Sequence, residues 1–338
     1  MPFELSLTIG EIGEKRLIRE FVRPFFDGDH DQQVIGHDCA IVGVPDGYEA
    51  LVSTDRVPAD LIAFRLGLID YRLLGRYLAV LNLSDIAASG GSPVGLLLNM
   101  GLPGSLSFAD FRKICAGFKK VTEDHSARVL GGDITSASEL SLSATSIGIV
   151  PRGKALRRSG AHPGDVIFTS RPFGLTPAAF AYFLTLKEPK ELAHWRETFV
   201  QQFSSLFPLI DFGRHLSTSS NCSSCMDNTD GYSDAFHEIA EESRVALVIE
   251  YERLHIPRAV SDVALLLGVD PIELALGPGA DFSLVGTTRD LLFTDTAAGH
   301  PGVQIVGRVE EGTGVFLQKG LKRDLLQNKG WNYFQNGG

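Results

Sequence analysis

Five short stretches of this chain each carry an aspartate among small or polar residues. They are Gly36-His37-Asp38-Cys39-Ala40, Ser53-Thr54-Asp55, Asn82-Leu83-Ser84-Asp85, Gly131-Gly132-Asp133 and Asp227-Asn228-Thr229-Asp230-Gly231. Small neighbours leave a carboxylate accessible, and carboxylates gathered in one cleft repel each other unless cations sit between them. Hard cations with oxygen ligands, Mg2+ above all, are how proteins hold phosphate chains. The chemistry these residues suggest is metal-dependent phosphoryl transfer. Each stretch also has a plainer reading. Ser53-Thr54-Asp55 reads equally as a cap or turn after a strand, and Asp230 as the cap of a following helix. Asp38 could be an ordinary turn residue, and glycine pairs such as Gly131-Gly132 often mark turns. Asn82, Ser84 and Asp85 are harder to set aside. These residue types are poor in helix interiors, and three within four positions suggest a used face.

The elements that must position these residues follow from the apolar pattern. Residues 10–26 read as a surface helix with Ile12, Leu17, Ile18, Phe21 and Val22 at helical spacing. Two β-prone runs, 40–44 and 50–54, flank Pro45-Asp46-Gly47 and suggest a hairpin that ends at Asp55. Apolar residues at 73, 74, 77, 78 and 81 predict a long helix from Tyr71 to Ala88, stopped at Gly90-Gly91. Asp85 then lies near a helix C-terminus, an unfavourable place for a lone negative charge. Residues 94–100, 128–130 and 142–150 read as strands, the second ending in a Gly131-Gly132-Asp133 loop, and Ser107 with Asp110 opens a further helix. Residues 151–164, rich in Gly, Pro and basic side chains, divide the chain into 1–150 and 151–338. The second half predicts helices at 176–186, 195–213, 231–242 and 257–267, and strands at 165–169, 245–250, 281–286, 303–308 and 314–318. Strands and helices do not alternate strictly, which favours an α+β chain of two mixed domains over a doubly wound sheet.

The 338 residues have 44% hydrophobic and 21% charged content, ordinary for a globular protein. No apolar run approaches a membrane span of about 20 residues. Residues 1–20 lack an apolar signal core, so cytoplasm is the expected location. A net charge of −10 argues against a nucleic-acid surface. It leaves room for a polyphosphate bridged by metal. The four cysteines are too few for a disulfide scaffold. Cys222 and Cys225 form a lone Cys-x-x-Cys, read as an incidental reduced pair or a metal or redox site. Neither a Gly-x-x-x-x-Gly-Lys-Ser/Thr loop nor a protein-kinase catalytic set is present, so any phosphoryl transfer uses another scaffold.

In order and context the stretches resemble the thiamine-monophosphate kinase family. This belongs with aminoimidazole-ribonucleotide synthetase, selenophosphate synthetase and the hydrogenase-maturation dehydratase. The segments that carry the resemblance are 35–40, 52–55, Leu78 to Ala88 with its Leu83-Ser84-Asp85-Ile86-Ala87-Ala88 core, 131–135, and 153–161 with Arg158-Ser159-Gly160-Ala161. To these are added 226–231 and Gly330-Trp331-Asn332-Tyr333-Phe334. The resemblance implies N-terminal domains that pair in a homodimer, with ATP in a cleft between halves. It implies Mg2+ held by Asp38, Ser53, Thr54, Asp55, Asp85, Asp133 and Asp230. Gly132, Asp133, Arg158 and Thr229 would meet the nucleotide. The γ-phosphoryl of ATP would pass to the phosphate of thiamine monophosphate, an acceptor that needs no strong base.

The acceptor side departs from the family pattern. His37 replaces the first of two aspartates, Ala63 stands where a histidine is usual, and the segment 56–64 is one residue longer. The usual Gly-Gly-Glu-Asp-Tyr-Glu block reads Gly279-Ala280-Asp281-Phe282-Ser283 after Gly277-Pro278, without either glutamate. The run from Asp230 to Asp234 is one residue shorter. Thiamine is cationic, so a site without these carboxylates should prefer a less cationic or differently shaped acceptor unless Asp281 substitutes. Trp331 and Phe334 would either stack on an aromatic ring or plug the fold. The rivals are a paralogous kinase or synthetase acting on another small acceptor, and a silent nucleotide-binding dimer.

Overall fold

The helix expected from residue 71 runs from Tyr71 to Ala88, and Leu78, Ala79, Val80 and Leu83 on it are fully buried. A second helix, Phe108–Asp124, crosses it closely. Its N-cap is Ser107, whose hydroxyl accepts from the Asp110 amide, as the sequence predicts. A Cβ at Gly75 would lie 2.0 Å from the Ile114 carbonyl oxygen, and one at Gly117 1.8 Å from that of Arg72. Only glycine at both positions lets the two backbones approach so closely. The computed structural model describes residues 2–27, 42–219, 221–289, 300 and 302–331. Asp38, with its neighbours Gly36 to Ala40, and Phe334 lie outside the described residues.

The chain divides into two compact units, Met1–Ile86 with Gly91–Gly153, and Ala87–Gly90 with Lys154–Gly338. The first unit holds a four-stranded sheet of β1 (Tyr48–Arg56), β2 (Ser92–Leu102), β3 (Arg128–Ser136) and β4 (Ser141–Pro151), in the order β1-β4-β2-β3. β2 and β3 are parallel, and the other pairs are antiparallel. Helical residues bury one face of this sheet, where Leu96, Leu98, Ala144 and Val150 are at most 5% exposed. The other face is open, and on it Val52 is 67% exposed.

Three expectations are corrected here. Residues 42–47 form no strand, and β1 pairs with β4 along its whole length, from Tyr48↔Pro151 to Arg56↔Ser143. Local periodicity marks a strand but does not name a partner some 90 residues away. The Gly131-Gly132-Asp133 segment is not a loop, because β3 continues through it to Ser136. The glycines serve strand contact, since a Cβ at Gly132 (φ 151°) would lie 1.8 Å from the Leu98 carbonyl oxygen. Residues 10–26 are helical in pieces, Ile9–Ile12 and Glu14–Leu17 followed by a π-helical turn and a last helix, interrupted at Gly13.

Among the described residues the second unit holds seven strands. They are β5 (Val166–Thr169), β6 (Cys222–Asn228), β7 (Ala246–Glu250), β8 (Ser283–Thr288), β9 (Gln304–Glu310), β10 (Gly314–Lys319) and β11 (Lys322–Leu325), in the order β11-β10-β7-β9-β5-β8-β6. Only β7 and β10 are parallel. β7 is buried nearly throughout, as a continuous apolar strand covered on both faces should be, and β8 is equally buried although it carries Ser283, Thr287 and Thr288. The helix expected over 195–213 is instead two, Arg196–Ser204 and Ile210–Ser219, because Pro208 cannot continue the first. β6 was not foreseen. Its Cys-Ser-Ser-Cys-Met-Asp-Asn sequence lacks β-branched residues, and burial against the helix Tyr232–Ser243 and β8 overrides that weak propensity.

Candidate functional site

Strand alternation sorts the Ser53-Thr54-Asp55 triplet onto two faces. Ser53 and Asp55 face the helix Tyr71–Ala88. The Ser53 hydroxyl donates a 2.5 Å bond to Asp85 Oδ2. The Asp55 amide donates to Asn82 Oδ1 at 3.1 Å. Asn82 is fully buried, and its Nδ2 donates to the Leu78 carbonyl one helical turn back, at 3.0 Å. The used helix face that the sequence suggested is therefore real. Asn82 fixes the backbone of Asp55, and Asp85 reaches Ser53 across the same seam. The sequence marks Asn82 as a poor helix former on a used face, and its positioning role emerges from these bonds.

Thr54 points to the opposite, open face. Its hydroxyl donates to the Ala144 carbonyl at 2.9 Å and accepts from Thr145 at 3.2 Å. The structure does not bring it together with Ser53 and Asp85. Asp133 is also distant from that pair within the chain. In register, Asp55 aligns through Ala144 and Leu98 with Gly132, so the two motifs lie on opposite edges of the sheet. Three strand spacings separate them, roughly 14 Å. Asp133 itself pairs with Asn99, an exposed residue on the open face. Gly131, Gly132 and Asp133 border an apolar recess with Ile18, Val22 and Leu98. Among the described residues no group of three His, Cys, Asp or Glu side chains is placed to hold a metal ion.

In the second unit, Asp230 follows β6 and precedes the helix Tyr232–Ser243. It does not cap that helix. The N-cap is Gly231, which receives no side-chain bond, and the Gly231 amide donates to Asn228 Oδ1 at 3.0 Å. The Asp230 carboxylate is thus left for another use. Burial raises its pKa above the ordinary aspartate value, Asp234 and Glu238 add to this, and Arg158 opposes it. Arg158 is held nearby by an ion pair with Glu238 at 2.9 Å. Its segment is tied down where Ser243 Oγ accepts from the amides of Gly160 and Ala161, both at 3.1 Å. Trp331 joins this group, its amide donating to the Asp230 carbonyl at 2.8 Å. Asn328 Nδ2 donates to Asp234 at 2.9 Å, which anchors the same C-terminal segment. Thr229 is half-buried in the same turn. The sequence reading missed Glu238, for which local pattern carries no signal.

Asp281 precedes β8 in the same unit, next to Phe282, whose amide donates to the Asn228 carbonyl at 3.0 Å. Asp281 is 3% exposed and accepts from Thr176 Oγ1 at 2.5 Å and from Gln202 Nε2 at 2.8 Å. Burial raises its pKa despite these donors and the nearby Arg171. Its bonds are internal to the fold. Ala63, the position of the absent histidine, is likewise buried, at 3% exposure.

The donor set at the helix seam consists of carboxylates and a hydroxyl, which suits a hard cation and not a soft one. Mg2+ commonly takes only one or two carboxylates and completes its sphere with substrate phosphates and water. The absence of a three-carboxylate cage among the described residues is therefore compatible with a Mg2+–nucleotide site. Asp85, near a helix C-terminus, is a place where an added cation also relieves an electrostatic conflict.

The two mixed units and the aspartates on the first sheet define the class. A family model, "AIR synthase related protein, N-terminal domain", matches residues 36–150. The solved structure of AaThiL complexed with AMPPCP and TMP superposes with a TM-score of 0.71 at 26% identity, covering 97% of this chain and 99% of that one. The thiamine-monophosphate kinase of Pyrococcus horikoshii is 28% identical over 330 residues, 96% of this chain and 97% of its own. That of Aquifex aeolicus is 30% identical over 256 residues, 75% and 78% of the two chains. The chain belongs to the thiamine-monophosphate kinase family.

Proposed function

We propose that this kinase transfers the γ-phosphoryl group of ATP to thiamine monophosphate, in a reaction that requires Mg2+. The observation that carries this is the seam between β1 and the helix Tyr71–Ala88. There Ser53 meets Asp85 at 2.5 Å and Asn82 holds the Asp55 amide at 3.1 Å, on a chain of this family. Ser53, Asp55 and Asp85 would hold one cation, with Asp38 as a further ligand supplied from its own motif. Asp133 and Asp230 would hold others. When bound, Mg2+ neutralises the charge that builds on the phosphates during transfer. The chain's own residues orient the reactants. Gly132, Asp133, Arg158 and Thr229 would meet the nucleotide, with Arg158 ion-paired to Glu238 at 2.9 Å. Trp331, held on the Asp230 loop, would stack on the ring of the acceptor. The acceptor is already an anion, so positioning and charge neutralisation suffice and no general base is required.

We further propose a homodimer through the open face of the first sheet. Val52 at 67% exposure, with Ile147 paired to it across the strands and Ile149 and Leu97 beside them, makes an apolar face of the kind that partners cover. The cytoplasm is the proposed location.

The decisive assay combines ATP, Mg2+ and thiamine monophosphate with the purified protein and measures thiamine diphosphate by chromatography and ADP by a coupled reaction. Product formation that depends on all three is the expected result. ATP binding with no thiamine diphosphate would refute the acceptor. A second reading, phosphorylation of another acceptor, is favoured by one observation. Asp281 is 3% exposed and its Oδ1 is taken by Thr176 and Gln202, so it is a poor replacement for the glutamates that positions 280 and 283 lack. A screen of small phosphates for acceptor-dependent ADP release separates the two.

A further inference from the structure

Ser146 sits in the middle of β4 on the face turned to the helix Tyr71–Ala88. It is fully buried, and its hydroxyl has no hydrogen-bond partner among the described residues. A buried, unmet hydroxyl is costly to the folded protein and is not kept for packing, since alanine would fill the site without that cost. Its neighbours indicate what it is for. In register, Ser146 pairs directly with Ser53 across the β1–β4 ladder. Side chains paired in this way lie about 4.5–5.5 Å apart at Cβ. Ser53 is the residue whose hydroxyl donates to Asp85 Oδ2 at 2.5 Å.

That bond cannot persist unchanged once a cation takes the pair. A hydroxyl that offers a lone pair to a cation turns its hydrogen away from that cation, and where the cation takes Asp85 Oδ2, the oxygen that accepts from Ser53, the hydrogen loses that acceptor. The hydrogen then needs another acceptor, and in this half-buried seam an O–H left without one opposes binding. Ser146 Oγ is buried, on the same face, beside Ser53 and uncommitted. We propose that Ser146 accepts the Ser53 hydrogen when a divalent cation occupies Asp85, and so acts as a positioning residue that makes Ser53 competent as a ligand. This inference rests on the proposed cation at Ser53 and Asp85. It also accounts for a polar residue at a position where an apolar side chain would stabilise the ion-free protein. Neighbours that position a metal ligand typically contribute one to two orders of magnitude to metal affinity.

The test uses the full-length protein and Mn2+ as a paramagnetic substitute for Mg2+, without nucleotide. Free Mn2+ is followed by electron paramagnetic resonance during titration, and thermal unfolding of the ion-free protein is recorded in parallel. Ser146→Ala is expected to weaken Mn2+ binding by about tenfold, while the ion-free unfolding temperature holds or rises. A purely structural role would move neither affinity nor coupling in this way. Ser53→Ala and the double variant Ser53→Ala/Ser146→Ala complete a thermodynamic cycle. If Ser146 acts through Ser53, its substitution has no further effect once Ser53 is alanine. Wild-type Mn2+ affinity in Ser146→Ala, or an equal loss in both backgrounds, overturns the proposal. Asp85→Asn separates it from the underlying reading. If that variant also binds Mn2+ as wild type does, the cation site itself is wrong and the inference falls with it. If only Ser146→Ala is silent, the site stands and the inference alone fails.

Discussion

Asn82 is the residue whose loss should cost both stability and function, through the same bond. It is fully buried, its Oδ1 accepts from the Asp55 amide at 3.1 Å, and its Nδ2 donates to the Leu78 carbonyl at 3.0 Å. Asn82→Ala strands the Asp55 N–H under the helix, at a cost of about 1–3 kcal/mol. Alanine returns about 0.5 kcal/mol through its better helix propensity. The net loss is about 0.5–2.5 kcal/mol, a fall in unfolding temperature of roughly 1–10 °C for a unit of this size. Without the bond Asp55 loses its tie to the helix that carries Asp85, so the Mn2+–nucleotide affinity should fall about tenfold. Differential scanning calorimetry and Mn2+ titration in the presence of a non-hydrolysable ATP analogue measure the two effects. Asn82→Asp is the informative companion. It keeps an acceptor for the Asp55 amide but places a charge in a buried position, so it should hold metal affinity better than the alanine variant while losing more stability. An Asn82→Ala protein with wild-type unfolding temperature and wild-type affinity would refute the reasoning.

Val52→Glu, on the open sheet face, should convert a dimer to a monomer in analytical ultracentrifugation without lowering the unfolding temperature of the first unit by more than about 0.5 kcal/mol equivalent; a variant that sediments as wild type removes this face from the interface. Asp281→Asn probes the buried carboxylate, whose pKa burial raises. The native state disfavours ionised Asp281, so the stability present below the ordinary aspartate range is lost as pH rises through its raised native value. Asparagine at this position keeps an oxygen for Thr176 and Gln202 and should unfold at a higher temperature than wild type at pH 7, with the difference closing as pH falls toward 4. A variant less stable than wild type at every pH would show that the ionised form is favoured by its surroundings.

How much of this was legible in the sequence differs from motif to motif. The helix Tyr71–Ala88 was visible because its apolar residues repeat every three to four positions, and the three polar residues that break its interior were visible as exceptions. Two of those exceptions, Asn82 and Asp85, turned out to be groups that touch β1. The strands were visible as runs, but their partners were not. The hairpin expected around Pro45-Asp46-Gly47 gave way to a β1–β4 pairing between residues some 90 positions apart, because a run of β-prone residues carries no address for its neighbour. β6 was invisible for a different reason, since serine, cysteine and asparagine form a strand there only under burial by the helix Tyr232–Ser243. The family resemblance supplied what local pattern could not, the common purpose of five scattered aspartates. It did not show that Thr54 turns away from Ser53 and Asp55, which follows from strand alternation once β1 is known to be regular. Nor did it show that Asp281 is enclosed by Thr176 and Gln202.

The two edges of the first sheet raise a question that one chain does not answer alone. Ser53, Asp55 and Asp85 gather at the β1 edge on the helix-covered face, whereas Asp133 lies on β3 in register with exposed Asn99 of the open face. Roughly 14 Å of sheet separates the two edges. If all four residues serve one nucleotide, the simplest arrangement is a two-fold pair of chains in which the β1 edge of one copy faces the β3 edge of the other. Subunit mixing decides this. Asp55→Asn and Asp133→Asn should each be inactive as homodimers. When the two are mixed and allowed to exchange subunits, half of the dimers become mixed, and each of these carries one intact site and one doubly defective site. Activity should then recover to about a quarter of the wild-type value. A site drawn entirely from one chain gives no recovery at any mixing ratio, because every site then carries one defect. Adding Val52→Glu to both variants should abolish the recovery. If activity returned in that background too, the recovery would have to come from an interface other than the open sheet face.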